Sequence, residues 1–343
     1  MVPASRQSAR PVGRFARAPV RAVALLGLLL VSGAAGAEDL SLLRVNTFPN
    51  AKALPFHAGL ANGFFRRHGI DLVLEFTENS RSQREGLAAG RFDLAQSALD
   101  NAVAMIETAG ADVIIVSGGD GGMNEFFVQP EIASFADLHG RTLVVDAPDT
   151  AYALQAKKIL LQHGLKETVD YAVKPVGAGA LRFKAMAESK ENAAAILNLP
   201  FTVQAEQMGL HSLGRTVDLL GPYQAGGAFV MRAWASRHAE TLERYLAAYV
   251  ESLRWVRAPE HRAQAVRLLT ERLSLSGPVA ERSYDLLVDP SFGFNPDARF
   301  DPEGFRNLLA LRAELQRREG EAVPPERYVD LGYYERAMRR LDR

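Results

Sequence analysis

Apolar and polar positions along the chain follow two repeating patterns, and their alternation predicts an α/β protein. Residues 63–76, GFFRRHGIDLVLEF, pass from helical spacing through Gly69 into a short apolar run, and residues 85–100, EGLAAGRFDLAQSALD, repeat this order. Residues 134–150, SFADLHGRTLVVDAPDT, and then 160–165, LLQHGL, repeat it again. Apolar residues three and four apart indicate helices, and short apolar runs that end in polar residues indicate buried strands. Strands and helices that alternate at this spacing favour mainly parallel sheets flanked by helices.

Two short apolar strands divide this pattern into two lobes. Phe126–Val128 and Gly226–Met231 have the composition of strands by which the chain crosses between lobes, and from Ala235 onward a helical tail is predicted, with its charges on solvated faces. Gly118–Gly122 favours a hinge turn over an anion-binding loop, because a glycine cluster alone is weak evidence for an anion site. The predicted domains are lobe 1, discontinuous over 38–125 and 224–343, and lobe 2, 126–223.

The N-terminal stretch indicates secretion. Five arginines precede a short apolar core, Ala22–Val31, and the sequence Ala35-Gly36-Ala37 then has the small-x-small pattern that signal peptidase cuts. The apolar run is too short to span a bilayer as a stable helix, so cleavage is favoured over a permanent anchor. Since the chain has no cysteine for lipid attachment at the cut, we expect a signal peptide at 1–37 and a soluble periplasmic protein.

Composition narrows the classes of partner and chemistry. Apolar residues make up 48% and charged residues 23% of a formally neutral chain, as in ordinary globular proteins. The leader carries five of the arginines and no acid, so the remainder is mildly acidic and has no electrostatic reason to bind nucleic acid or an anionic membrane. The lack of cysteine excludes disulfides, thiolate metal sites and cysteine nucleophiles.

No catalytic motif is present in the sequence. The seven histidines are scattered without the HxxxH or HExxH spacing of a metal site, and there is no GxSxG elbow, Walker loop or dinucleotide fingerprint. His57 is the one histidine in a predicted cleft loop, where a binding role is the less favoured interpretation. We therefore expect no enzymatic activity, no cofactor and no metal.

The motifs resemble a known family of binding proteins. GFFRRHGIDLVLEF, then GLAAGRFDLA, then SALDNAV, and later DLHGRTLV at 137–144, are similar in order and spacing to the substrate-binding proteins of sulfonate, nitrate and taurine ABC importers. The same pattern is shared with thiamine-pyrimidine binders and with the yeast pyrimidine-synthesis enzymes. The resemblance covers about 42–256 and implies a type II periplasmic-binding fold, in which two lobes hold the solute between them.

The sequence predicts where a solute would contact the chain. In open parallel sheets, ligands bind beyond the carboxyl ends of the strands, where the N-termini of helices present free backbone N–H groups. Loops in that position contain polar and aromatic side chains in both lobes. The candidate ligand-binding residues are Phe48, Asn50, Phe56, Asn79, Ser97, Asn101, Asp120, Asp146, Thr150, Tyr152, Asn198 and Phe201.

Several of these residues have a simpler interpretation. Asp100, Asp149 or Thr150 would cap a helix, and most of the aromatic side chains would be core residues. Arg182 and Lys184 could balance an anionic group, although a solvated helix face is favoured for both. The acidic loop residues point instead to a cation or an amine, so the charge of the solute stays open.

Three functions are compatible with these features. The favoured one is a periplasmic solute receptor, expected to be a monomer, that captures a small organic molecule and delivers it to ABC permease subunits at the inner membrane. A ligand-sensing module for a membrane sensor is the alternative. A pyrimidine-synthase-like enzyme is disfavoured, because the related eukaryotic enzymes carry a cysteine cluster. Sulfonate, nitrate, aromatic carboxylate and pyrimidine precursor all remain open as the solute.

Overall fold

The strands of the chain form two sheets of five. The structure is a computed structural model that describes residues 40–316 and 324–342, so the predicted signal peptide lies outside the described residues. The first sheet contains β1 (Ser41–Thr47), β2 (Ile70–Phe76), β3 (Leu94–Ala98), β4 (Val113–Asp120) and β10 (Gly226–Met231). The second contains β5 (Asn124–Val128), β6 (Arg141–Val145), β7 (Tyr171–Pro175), β8 (Asn192–Asn198) and β9 (His211–Arg215). The spatial orders are β2-β1-β3-β10-β4 and β7-β6-β8-β5-β9.

Helices cover both sheets. Those that accompany the first sheet before the chain crosses are α1 (Leu54–Ala61), α2 (Phe64–Arg67), α3 (Ser80–Ala88) and α4 (Asp100–Ala109). Those of the second sheet are α5 (Ala151–Gln162), α6 (Gly179–Glu188), α7 (Phe201–Gln207) and α8 (Thr216–Leu220). The C-terminal helices are α9 (Arg232–Arg237), α10 (Ala239–Arg257), α11 (Arg262–Leu273), α12 (Gly277–Leu287), α13 (Pro302–Gln316) and α14 (Gly332–Leu341). In the described ranges, no helix combines the length and the apolar character that crossing a membrane requires.

Each sheet is mixed, whereas the sequence predicts mainly parallel sheets. β1 runs parallel to β2 and β3, but β10 runs antiparallel to β3 and β4. β6 likewise runs parallel to β7 and β8, and β5 runs antiparallel to β8 and β9. β5 and β10 are the strands by which the chain enters each sheet from the other. Both enter at the edge where the parallel strands end, since Asn124 pairs with Asn198 and Gly226 pairs with Ala98, so both must run in the opposite direction.

Apolar side chains on alternate strand positions fill a core on both faces of each sheet. In β4, Ile114 and Val116 pack with α1 and α10, while Val113 and Ile115 pack with α4 and α13 on the other face. Successive side chains of a strand point to opposite faces, so a strand that is apolar throughout is buried on both. The continuous apolar runs in the sequence therefore mark strands at the centre of a three-layered lobe.

Three local features differ from the sequence-based expectation. One helix is predicted over Phe56–His68, but Gly63 has φ +70° and separates α1 from α2. Gly118 and Gly119 are predicted in a hinge turn but lie inside β4, where a Cβ at Gly118 would come within 2.1 Å of the Arg299 carbonyl oxygen. The sequence pattern does not predict β9, α8 and α9, because each is short. The division into domains stays a prediction, and β5 begins at Asn124, two residues before the predicted boundary.

Candidate functional site

A cavity lies between the two sheets, at the edge where the parallel strands end. Its volume is about 90 Å³. An ordered water needs roughly 10–15 Å³, so the cavity is large enough for a small molecule. From the side of the first sheet it is lined by Thr47, Phe48, Asn50, Lys52, Ser80, Gln96, Ser97, Ala98, Gly119, Asp120, Ala225, Gly226, Gly227, Tyr249 and Phe294. From the side of the second sheet it is lined by Asp146, Thr150, Ala151, Tyr152, Ala178, Gly179, Arg182 and Asn198.

Lys52 and Asp120 form an ion pair in the cavity wall. The Lys52 Nζ lies 2.8 Å from the Asp120 Oδ1 and also donates to the Gly122 carbonyl. Burial opposes the charged ammonium group, but Asp120 and the Tyr152 hydroxyl outweigh it, and the pKa of Lys52 is raised. The carboxylate fits only because residue 226 is glycine, since a Cβ there would lie 2.1 Å from the Asp120 Oδ2. The charges of Lys52 and Asp120 therefore neutralise each other.

Arg182 on α6 is a buried cation in the same wall. The residue is only 3% exposed, and its side chain forms no ion pair with any residue that the structure describes. Its Nε donates to the Ile196 carbonyl at 3.1 Å and its Nη1 to the Gly177 carbonyl at 2.9 Å. The guanidinium carbon lies 5.2 Å from the centre of the Tyr152 ring. Burial lowers the pKa of Arg182, and Asp146 and Tyr152 oppose this shift without outweighing it. Among the described residues, no carboxylate contacts the guanidinium directly.

Asp146 follows β6 and contacts the other side of the cleft. Its Oδ2 accepts a hydrogen bond of 3.0 Å from the backbone N–H of Ser80, in the first turn of α3. An anion is favoured at that position, because the N-terminus of a helix carries partial positive charge. The Oδ1 of Asp146 is buried and has no hydrogen-bond partner among the described residues. One oxygen of this carboxylate is thus held by the protein, and the other is not.

Aromatic rings and a further unpaired acceptor complete the lining. Phe48, Tyr152, Tyr249 and Phe294 supply apolar surface. The Asn198 Oδ1 is buried without a partner in the described part of the chain. Asn198 has this position because residue 179 is glycine, where a Cβ would lie 2.8 Å from the same oxygen. A buried acceptor without a hydrogen bond is unfavourable, unless a ligand or a water molecule donates one to it.

Eight of the twelve candidate residues line the cavity, and four do not. Those that line it are Phe48, Asn50, Ser97, Asp120, Asp146, Thr150, Tyr152 and Asn198. Among them, Asn50 also accepts from the Lys52 backbone N–H at 3.0 Å and Thr150 donates to the Ala147 carbonyl at 2.8 Å. The sequence therefore predicted most of the loops that meet at the cleft. Their role in binding stays a prediction.

The other four candidates have structural surroundings of their own. Phe56 lies inside α1, which starts two residues earlier than predicted, and its ring centre is 5.1 Å from that of Tyr249 in the core. Asn79 caps α3 by accepting from the Ser82 N–H at 2.8 Å. Asn101 is buried in α4 beside Gln83, and Phe201 stacks on Phe183 behind the cavity wall.

The remaining lining residues were not proposed as contacts from the sequence, although about half of them lie in the loops predicted at the carboxyl ends of the strands. Tyr249 lies in the middle of α10, 51 positions after Asn198, and reaches the cleft from behind β3. For Arg182 the predicted solvated face is wrong, because α6 turns this residue inward. Lys184, two positions later, is exposed beside Glu188 as expected. His57 does not line the cavity; it is buried in α1.

Direct contacts join the two sides of the cleft around the cavity. The Ala178 N–H donates to the Glu78 carbonyl at 3.0 Å, beside the Ser80–Asp146 bond. Arg84 on α3 lies 3.1 Å from Asp149, which precedes α5. On another side, Lys158 of α5 pairs with Glu314 of α13 at 2.6 Å. The structure is thus in a closed form, in which both sides of the cleft would contact a bound molecule.

Known structures share this architecture. A protein from Bordetella bronchiseptica RB50 matches with a TM-score of 0.75 at 19% identity, over 89% of this chain and 99% of that one. The nitrate-binding protein NrtA from Synechocystis PCC 6803 matches with a TM-score of 0.72 at 13% identity, over 89% and 90% of the chains. The alkanesulfonate-binding protein SsuA from Xanthomonas axonopodis pv. citri, bound to MOPS, matches with a TM-score of 0.69 at 15% identity, over 85% and 99%.

The chain therefore has the periplasmic-binding-protein fold, as the resemblance implies. No curated protein sequence matches it. A family model, however, matches residues 50–263, which include all but three of the residues that line the cavity. Since this match spans more than half of the sequence, the chain belongs to the NMT1/THI5-like family.

Proposed function

We propose that the protein is a periplasmic solute receptor that captures a small organic molecule between its two lobes and delivers it to an ABC permease at the inner membrane. The closed cavity carries this proposal, because it combines aromatic walls with a buried cation and buried acceptors that the protein leaves unpaired. Ligand sites are concave, mostly apolar and supplied with a few converging polar groups. The sulfonate- and nitrate-binding proteins that share the fold support the same role.

An enzymatic role has less support. No histidine is among the described residues that line the cavity, and no group of three or more histidine, cysteine or acidic side chains in the described ranges is arranged to hold a metal ion. The pyrimidine synthases that the motifs resemble consume one of their own histidines, so such a reaction would need a histidine beside the bound substrate. The positions of the polar groups favour binding and release of the solute without a chemical reaction.

Capture is tested by thermal unfolding of the purified chain with sulfonates, nitrate, aromatic and aliphatic carboxylates, and pyrimidines. A ligand present at 100 times its Kd stabilises the folded state by about 2.7 kcal/mol, which raises Tm by a readily measured amount. We expect at least one class to stabilise the chain, and mass spectrometry to recover that molecule unchanged. Stabilisation by none of the four classes would contradict the proposal, and a chemically altered product would favour an enzyme.

Delivery is tested in cells by deleting the gene and measuring uptake of the solute identified in this way. A receptor that serves a permease is required for uptake at low solute concentration, so uptake should fall and return on complementation. Recovery of the protein from the osmotic-shock fluid would support the periplasmic location. Tight binding with undiminished uptake would contradict delivery and support the sensing role.

A further inference from the structure

The charged side chains that line the cavity balance each other. Among the described residues they are two cations, Lys52 and Arg182, and two anions, Asp120 and Asp146. A receptor for a simple anion gains most from an excess of positive charge in its site, because the anion loses its hydration on binding. The formal charge of this lining is zero, which suits a solute whose own net charge is zero.

The two pairs of charges differ in what they contact. Lys52 and Asp120 lie 2.8 Å apart and satisfy each other. Arg182 and Asp146 both line the side of the second sheet, yet they form no ion pair with each other. Arg182 contacts two carbonyl groups and a ring, and Asp146 uses only one oxygen. The cavity therefore presents a separated positive and negative group, each incompletely compensated by the protein.

We propose that the solute is a small zwitterion, whose anionic group pairs with Arg182 and whose cationic N–H group donates to the Oδ1 of Asp146. A bare anion would leave that buried oxygen without a donor and add negative charge beside it. An uncharged solute would leave the guanidinium of Arg182 without a counter-ion. A zwitterion supplies an anion for Arg182 and a donor for Asp146. The unpaired Oδ1 of Asn198 is a second acceptor for its cationic end.

Size and apolar surface restrict the solute further. The cavity volume of about 90 Å³ excludes large peptides and nucleotides. Tyr152, whose ring lies against Arg182, and Tyr249 provide faces on which a short carbon skeleton or a small ring would pack. Amino sulfonates and amino carboxylates with a short spacer have the required charges and dimensions. The zwitterion deepens the receptor function proposed above and depends on it.

Pairs of ligands that differ only at the cationic end test the charge class. Isothermal titration would compare 2-aminoethanesulfonate with 2-hydroxyethanesulfonate, and 3-aminopropanoate with 3-hydroxypropanoate. Loss of a buried charge-assisted hydrogen bond weakens binding on the order of 10- to 100-fold, so the amino member of at least one pair should bind more tightly by that factor. Equal or tighter binding of the hydroxy member, or binding of neither member in both pairs, would overturn the zwitterion.

Asp146→Asn tests the residue that carries the inference. The asparagine keeps an oxygen to accept from the Ser80 N–H but removes the negative charge. We expect affinity for the amino ligand to fall at least tenfold while affinity for its hydroxy counterpart stays within about threefold. Asp149→Asn is the matched control, because it removes an acid from the same loop that does not line the cavity, and it should affect both ligands equally.

The outcomes separate the two proposals. A preference for amino ligands that disappears in Asp146→Asn supports the zwitterion. A preference that persists in this variant would overturn the role of Asp146. Stabilisation by a nitrate, a sulfonate without an amino group or an uncharged pyrimidine, with no binding of the amino ligands, would overturn the zwitterion and leave the receptor function intact.

Discussion

Two buried arginines are treated differently by the fold. Arg312, on α13, is 1% exposed and forms ion pairs with Asp100 and Glu107 of α4, where Glu107 also accepts from the Tyr328 hydroxyl at 2.9 Å. Arg182 is buried to almost the same degree but forms no ion pair in the described part of the chain. Arg312 links α13 to α4 beside the first sheet. Arg182 lines the cavity instead. Burial alone does not distinguish the two arginines, whereas the presence or absence of a counter-ion does.

The pKa values follow the same division. Burial disfavours the charge on Arg312, but Asp100 and Glu107 outweigh it and raise its pKa. Burial is the largest influence on Arg182 as well, and there the more distant Asp146 and Tyr152 do not outweigh it, so its pKa is lowered. A buried cation whose pKa is lowered by burial is stabilised when an anion binds to it. This is the expected property of a residue that binds a solute.

The largest effect is expected from Arg312→Met. Removal of this guanidinium leaves Asp100 buried without its cation, and breaking a buried pair in this way costs about 3–5 kcal/mol of unfolding free energy. Chemical denaturation would measure the loss. Arg306→Met, an exposed position on the same helix, is the control and should change stability by less than about 0.5 kcal/mol. Equal stability of both variants would contradict a structural role for Arg312.

His57 extends the comparison to a buried base outside the cavity, whose Nε2 has no hydrogen-bond partner among the described residues. Burial, assisted by Arg272, lowers its pKa from 6.5 to about 4. Above pH 6.5 it is neutral in both states; between pH 6.5 and 4 only the unfolded chain takes up the proton, so stability falls as the pH is lowered. The loss is about 3 kcal/mol at pH 4.

Denaturation at several pH values would measure this contribution of His57. His57→Gln should remove about 3 kcal/mol of the pH dependence between pH 6.5 and 4, while His139→Gln, at an exposed position, should leave it in place. An unchanged pH profile in His57→Gln would show that this side chain is not buried in a neutral form.

Arg182→Met should separate binding from stability. The variant loses two hydrogen bonds to carbonyl groups but strands no carboxylate, so unfolding free energy should change by about 1–2 kcal/mol at most. Affinity for the solute should fall by about 1.5–3 kcal/mol, or roughly 10- to 150-fold, because a charge-assisted bond is lost. Titration calorimetry and denaturation of the same variant would test both. Loss of stability as large as in Arg312→Met would remove the distinction between the two arginines.

The smallest effect concerns the contact between the lobes. Arg84 lies 3.1 Å from Asp149 across the cleft, and the carboxylate is nearly half exposed. Such pairs contribute about 0–1 kcal/mol, so Arg84→Ala should weaken solute binding by at most about fivefold, through the closed form. Arg81→Ala, on the exposed side of the same helix, is the matched control. An effect tenfold or larger would place Arg84 in the solute site itself.

Much of the architecture could be predicted from the sequence, because it depends on local patterns. Helix-glycine-strand units at 63–76 and 134–150 predicted the α/β class, and the family motifs predicted the two-lobed binding fold, which is confirmed. Eight of the candidate residues lie at the cavity because the carboxyl ends of parallel strands meet at one edge. The direction of β5 and β10 could not be predicted, since periodicity within a strand does not depend on its partner.

The sequence by itself determined the fold class, the family and the loops that meet at the cleft, since each follows from short-range periodicity and motif order. Only the tertiary structure decided which charges face the cavity. Arg182 and Lys184 are two positions apart and look alike in sequence, but two positions on a helix differ by about 200° in direction. One lies against Tyr152 in the cavity and the other in solvent. The side on which each charge lies depends on how α6 packs, which is set by contacts between residues far apart in the chain.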